Sequence, residues 1–420
     1  MVECCGRLPL AIIALGGILA KKNNSLTGWR EVSRNVESFL REDKKMRVED
    51  VLALSYDDLP PRSKSCFVYL SHFPADYEIQ TQRLIQLLVA DGIVPVLEKG
   101  ENIAEDVAEG CLQELAERAK KDNFLFVVDE SNASWLSTIR KVRRVSMHKL
   151  FRAQYIRCPN LRSLSFFKTS CPGDFFEGFW TYIFINMKLL RVLNYEGRHE
   201  YVEYKLMEDI GNLIHLRFLS LRDLRFKGSE LPSSLENLRC LQTLDLRLGR
   251  QYSIHVPDVL WKMEQLRHLY LPRHCTDNTK LKLGTLRHLL TLVNFNIKNC
   301  FLKDLSNMTN LRELEICGPF KIEGFNGNNL DENPPIIQAK YLHSLTINSK
   351  EGIIDPRHLN HLISNCSSIY NLILHVEISK LPEDRYLPSN FAYILQRCNF
   401  ERDPTPILEH LPNLRALRIF

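Results

Sequence analysis

Leu216-Arg217-Phe218-Leu219-Ser220-Leu221, Leu241-Gln242-Thr243-Leu244-Asp245-Leu246 and Leu266-Arg267-His268-Leu269-Tyr270-Leu271 share one frame, L-x-x-L-x-L. Working outward, the frame recurs upstream as Leu161-Leu164-Phe166 and Leu190-Leu193-Tyr195. Downstream it recurs as Leu311-Leu314-Ile316, Leu342-Leu345-Ile347, Ile369-Leu372-Leu374 and Leu414-Leu417-Ile419, with weaker copies at Leu289 and Phe391. The starts are therefore 161, 190, 216, 241, 266, 289, 311, 342, 369, 391 and 414, separated by 22 to 31 residues. Alternation with a period of two is the signature of a strand with one buried face. The leucines point into a core, and the positions between them point outward onto a concave surface. One such unit cannot bury its apolar face alone, so the pattern predicts a stack of units, a solenoid. Ile210-Gly211-Asn212-Leu213-Ile214-His215 turns the chain back to its next strand, while Leu231-Pro232-Ser233-Ser234-Leu235 and Val256-Pro257-Asp258-Val259-Leu260 suit the convex side.

The first 122 residues read as helical. Val48, Leu52, Tyr56 and Leu59 fall on one face, and Phe67 and Leu70 on another. Thr81 to Ala90 is almost wholly apolar (Leu84, Ile85, Leu87, Leu88, Val89), and Glu101 to Lys120 is amphipathic through Ile103, Val107, Cys111, Leu112 and Leu115. Asp91-Gly92 and Lys99-Gly100 supply stops. An apolar strand is expected at Phe124 to Val128, a linker at Glu130 to Ser137, and the solenoid cap near Val142.

Composition excludes little but sets the class. The 420 residues are 45% apolar and 25% charged, as in an ordinary globular protein, and the net charge of +5 demands no nucleic-acid partner. Twelve cysteines run from Cys4 to Cys398 with no Cys-x-x-Cys pair, which predicts reduced thiols and a cytoplasmic chain rather than a zinc site or disulfide scaffold. Leu8 to Ala20 is too short for a stable membrane span but has the length of a signal-peptide core. Glu3, Cys4-Cys5, Pro9 and the closing Lys21-Lys22 oppose that reading. The alternative kept open is a secreted or membrane-tethered binding protein; sequons at Asn23, Asn132, Asn307 and Asn365 are too short a motif to decide it.

The spacing is close to that of leucine-rich repeats. Ahead of the repeats stand Cys5-Gly6-Arg7-Leu8-Pro9-Leu10-Ala11-Ile12, Leu54-Ser55-Tyr56-Asp57-Asp58-Leu59-Pro60 and Cys66-Phe67-Val68-Tyr69-Leu70-Ser71-His72-Phe73-Pro74, followed by Leu84 to Val94. In that order they resemble the rear blocks of the nucleotide-binding (NB-ARC) module of plant leucine-rich-repeat disease-resistance proteins. The resemblance implies an α/β chain: a leucine-rich-repeat solenoid preceded by a small helical winged-helix-like domain. It divides the chain into a remnant of the module's helical part (1–45), a shortened winged helix (46–122), a linker (123–141) and repeats (142–420). It implies an immune role, with the repeats recognising a pathogen effector or a modified host protein, and a full-length receptor as a further partner.

Full-length members hold ADP or ATP on G-x-x-x-x-G-K-[ST], but these residues contain no Gly-Lys dipeptide. No cofactor is therefore expected in this chain, which reads as truncated; Pro9 alone is carried over as a nucleotide-base contact. Met147-His148-Lys149 imitates the family's Met-His-Asp block, yet Val142-Arg143-Arg144-Val145-Ser146 resembles the approach to the repeats, so that block is expected to be missing.

No G-x-S-x-G, H-E-x-x-H or phosphate loop is present, so no enzyme is expected. The winged-helix resemblance raises a DNA-binding role, but Thr81 to Ala90 carries Arg83 as its one basic group, and core packing explains it better. The candidate binding residues lie in the repeats. Arginine follows the first leucine at Arg162, Arg191, Arg217, Arg267, Arg312 and Arg415, which stacking would turn into a basic ladder across the concave face, suited to an acidic protein partner. His268 and Tyr270 join them on outward positions, as do His343 and Tyr370.

Overall fold

A strand follows every repeat start read from the sequence. The computed structural model describes residues 19, 25–39, 56–57, 59–74, 77–94, 103–122, 143–147, 160–167, 173–196, 203–204, 208–226, 230–249, 253–318, 336–353, 355–363, 366, 368–377, 392–396, 409 and 416–419. The chain divides into two units, Met1–Ser134 and Trp135–Phe420.

In the second unit the strands are β1 (Arg144–Met147), β2 (Ser163–Phe167), β3 (Val192–Glu196), β4 (Glu203–Tyr204), β5 (Phe218–Arg222), β6 (Arg225–Phe226) and β7 (Thr243–Asp245). They continue as β8 (His268–Tyr270), β9 (Thr291–Asn296), β10 (Glu313–Cys317), β11 (Ser344–Ile353), β12 (Asn371–Glu377), β13 (Ala392–Gln396) and β14 (Ala416–Ile419). Twelve of them form one sheet in chain order, with β4 and β6 paired separately. All the pairings are parallel, so each repeat lies on the one before it.

The register puts the fourth position of each repeat in a single row. Leu164, Leu193, Leu219, Leu244, Leu269 and Leu292 pair in succession, and each is fully buried. Burying one leucine is worth about 1.5–3 kcal/mol, so the row binds neighbouring repeats continuously. Short 3-10 turns (Glu208–Asn212, Ser233–Asn237, Leu260–Lys262, Leu302–Asn307) return the chain on the far side. Carboxylates tie these turns together: Asp304 Oδ2 accepts from the Leu283 amide at 2.7 Å, and Asp258 Oδ1 from that of Lys282 at 2.9 Å. Gly211 is required by close approach, since a Cβ there would lie 2.7 Å from Ser234 Cβ. An aromatic cluster closes the early repeats, where Trp180 on α5 (Gly173–Asn186) sits 5.8 Å from Phe166 and 5.7 Å from Phe184.

Two weak copies resolve differently. Asn294 adopts φ 61° and the β9–β10 register slips, so Phe295 takes the inward place opposite Ile316. The copy expected at Phe391 starts one residue earlier, at Asn390, because Ala392 pairs with Asn371 and Tyr393 with Leu372. Period-two alternation makes a one-residue shift decisive for which side chains face the core. Arg144–Met147 pairs with Ser163–Phe166, so Met147 belongs to the repeat sheet.

The first unit contains α1 (Leu26–Phe39), α2 (Pro61–Leu70), α3 (Thr81–Asp91) and α4 (Ala104–Asp122). Pro61 opens α2, where its missing N–H costs nothing, and Gly92 at φ 75° ends α3. The buried line of α2 is Ser63, Cys66 and Tyr69 rather than Phe67 and Leu70, which are half-buried. Ser63 meets α4 through a 2.6 Å hydrogen bond from its Oγ to Glu114 Oε2, which fixes that facing side. Helix α3 is buried continuously from Arg83 to Asp91, so it has no free face to place in a DNA groove.

Several sequence expectations fall outside the described residues: Pro9 and its block Cys5–Ile12, Leu8–Ala20 apart from Leu19, Val48, Leu52, Phe124–Val128, Glu130–Ser137, Val142 and Arg415. Among the described residues no helix is long and apolar enough to cross a membrane.

Candidate partner-binding surfaces

Five of the ladder arginines stand directly before a strand. Arg162, Arg191, Arg217, Arg267 and Arg312 precede β2, β3, β5, β8 and β10, and all five side chains are half-buried. Their carbonyls bind one repeat to the next. Arg162 O accepts from the amides of Arg191 at 2.7 Å and Val192 at 3.0 Å, and Arg191 O from Arg217 at 2.7 Å and Phe218 at 3.0 Å. The same two-bond rung runs through Gln242, Arg267, Leu290, Arg312 and His343 to Tyr370. These residues therefore line the leading edge of the sheet, where strands begin, rather than crossing its concave face. His343 and Tyr370 stack there with ring centroids 5.2 Å apart.

His268 and Tyr270 belong to the face itself, and both are more enclosed than their outward positions suggest. His268 is 4% exposed, with Nδ1 3.2 Å from Thr291 Oγ1 on the adjacent strand. Strands under 5 Å apart set Thr243 and Thr291 on either side of it, which accounts for the enclosure.

Tyr270 is part of a cluster that the six-residue frame did not reveal. Arg247 lies one position past that frame, with its guanidinium 4.2 Å from the Tyr270 ring centroid. Asp245, fully buried, accepts from Arg247 Nη2 at 2.6 Å, from Nε at 2.9 Å and from the Arg247 amide at 3.2 Å. Burial opposes the charge on Arg247, and the bonds to Asp245 more than restore it. A guanidinium held by a bidentate carboxylate and stacked on an aromatic ring is pre-organised for recognition.

Glu313, on β10, feels the charge of Arg247. Burial pushes its carboxyl above the usual range; Arg247 pulls it down and neighbouring Glu315 pushes it further up. The sequence signal for these residues is charge on consecutive outward positions, as in Asp245-x-Arg247 and Glu313-x-Glu315.

The raised Glu313 carboxyl has a stability consequence. Its contribution is fully present below the ordinary value of 4.5 and is lost as pH rises through the higher folded value. Glu313→Gln should therefore melt higher than the parent at about pH 7, by roughly 2 °C, with the gap closing towards about pH 4. Calorimetry at both pH values checks it; a lower midpoint for the variant at neutral pH would contradict the argument.

Among the described residues no group of three His, Cys, Asp or Glu side chains is placed to hold a metal.

Residues 160–420 match a family model described as a leucine-rich repeat region, and residues 73–152 match a disease resistance protein winged helix domain. The chain belongs to the leucine-rich-repeat disease-resistance proteins of plants. It is 34% identical to the probable disease resistance protein RF9 of Arabidopsis thaliana, across 100% of this chain and 43% of that one. It is 33% identical to disease resistance protein RPP8 of the same plant, across 100% of this chain and 49% of the relative. The chain thus spans about half the length of the curated relatives it matches. The winged-helix match runs through residue 152, past the end expected at 122, and so overlaps β1, which the sheet pairing assigns to the solenoid.

Proposed function

We propose that this chain recognises another protein, a pathogen effector or a modified host protein, on the concave face of its repeats in the cytoplasm. The observation that carries the reading is the Asp245–Arg247–Tyr270 cluster. Arginine and tyrosine are the side chains most often dominant in protein interfaces, and here both are locked in place. Burial of the Glu313 carboxyl on β10 is a cost to stability of the kind binding sites carry. His268 lies on the neighbouring rung. The 420 residues contain no Gly-Lys dipeptide, so the loop by which the family holds ADP or ATP is not within them. The role is binding rather than catalysis.

Capture from infected and uninfected plant extract tests the reading. The parent chain should retain proteins that Arg247→Ala and Tyr270→Ala both lose, with circular dichroism showing that both variants stay folded. Identical captured sets from parent and folded variants would remove the concave cluster from recognition.

A further inference from the structure

Six cations of the leading edge have no ion-pair partner among the described residues. Its turns are residues 160–162, 188–191, 214–217, 239–242, 264–267, 287–290, 309–312, 340–343 and 368–370, and Glu264 is the single acidic residue among them. Arg162, Lys188, Arg191, Arg217, Arg239 and Arg287 have neither an ion pair nor a side-chain hydrogen bond among the described residues. Elsewhere in the solenoid several cations are matched, as in Lys262 with Glu236, Lys282 with Asp258 and Arg357 with Asp355, while Arg273 and Lys303 have no acidic partner among the described residues. The unmatched cations are therefore concentrated at this edge, not confined to it.

The same turns hold most of the solenoid's exposed large apolar side chains. Leu189 is 46% exposed, Ile214 52%, and Tyr341 and Tyr370 56% each; Ile185, at the end of α5, lies just before them. Among the described residues, Trp261 and Phe301 are the exposed large apolar side chains elsewhere in the repeats. The backbone rungs from Arg143 to Tyr370 join these turns into one row, about 43 Å long at a strand spacing of roughly 4.8 Å.

We infer that this leading edge docks on an anionic lipid bilayer, the unpaired arginines and lysines meeting headgroups and the aliphatic and tyrosine side chains entering the interface. An acidic lipid surface suits a repetitive row of cations, because it offers negative charge everywhere and requires no register. Interleaved aliphatic and tyrosine side chains suit the boundary between headgroup and acyl chain. An acidic protein would need a matching array of carboxylates and a contiguous apolar centre, whereas here cations separate the apolar groups. A nucleic acid would leave Leu189 and Ile214 without a role. The inference is independent of the concave-face reading.

The test is flotation of the whole 420-residue chain with phosphatidylserine–phosphatidylcholine vesicles and with phosphatidylcholine alone. The parent should float with the anionic vesicles only, and release as salt is raised. Lys188→Glu/Arg239→Glu/Arg287→Glu, all at exposed positions, should keep the parent's melting curve and lose roughly a hundredfold in vesicle affinity. Leu189→Ser/Ile214→Ser should weaken binding while leaving its salt dependence intact. Tyr270→Ala should bind vesicles as the parent does, which separates this outcome from failure of the concave site. Equal binding to neutral vesicles, or an unchanged affinity in the folded triple variant, overturns the inference. Absent vesicle binding together with binding to poly-glutamate or to poly-uridine that the triple variant loses would overturn it too, and assign the edge to an acidic protein or a nucleic acid.

Discussion

Phe295→Ala is expected to lower stability by about 3–5 kcal/mol, as for other large aromatics removed from a packed core. The side chain is fully buried and faces Ile316 across β9 and β10. It sits inward only because Asn294 takes φ 61°, which slips the strand by one place. Asn294 is held there by a 2.8 Å hydrogen bond from its Nδ2 to the Leu271 carbonyl. The bulge therefore anchors Phe295 with little room to collapse around the space that alanine would leave. Phe301→Ala is the control: that ring is 39% exposed, and its loss should cost under about 1 kcal/mol. Urea denaturation of both variants measures the difference. Hydrogen exchange should show protection lost first in the strands on either side, since repeats couple to their neighbours. A cost for Phe295→Ala no greater than for Phe301→Ala would mean that Phe295 does not serve as a repeat position.

The same residue shows how far the sequence carried. Where leucines kept strict alternation, the eye could place every strand, and the observed pairing begins two residues after each strong start. At Leu289 the frame Leu292-x-Asn294 looked defective because a single inserted residue moves the third apolar side chain to Phe295. At Phe391 an aromatic residue drew the frame one place late, and only the partner strand fixes it. In α2 periodicity gave a helix but not its buried face, which depends on what packs against it, here Glu114 of α4 meeting Ser63. Position also explains the binding surfaces. Arg217 or Arg267 could be picked out because it follows a leucine in a repeated frame. Its place at the leading edge rather than on the face depends on where the strand begins. Arg247 escapes the pattern because it lies outside the frame, although Asp245 and the Tyr270 ring both hold its guanidinium.

Asp245→Ala is the second large effect. The carboxylate is fully buried and accepts three bonds from Arg247, so its removal leaves a guanidinium enclosed over Tyr270 without its hydrogen-bonded counter-charge. Breaking a buried pair from one side costs about 3–5 kcal/mol. The Arg247 side chain is 29% exposed and can partly rehydrate, which brings the expectation to about 2–3 kcal/mol. Arg247→Ala should cost less, because Asp245 keeps access to a backbone amide. The double variant should be more stable than Asp245→Ala alone, since no orphaned cation remains. That ordering separates a coupled pair from two unrelated polar residues; additive losses in the cycle would dissolve the pair as a unit. Binding should follow a different order. Arg247 is the group a partner meets and Asp245 only holds it, so Arg247→Ala should abolish partner capture at modest cost to the fold. Asp245→Ala should weaken capture in proportion to how far Arg247 leaves the Tyr270 ring. Asp245→Asn, which keeps one acceptor and loses the charge, should fall between the parent and Asp245→Ala in both measurements.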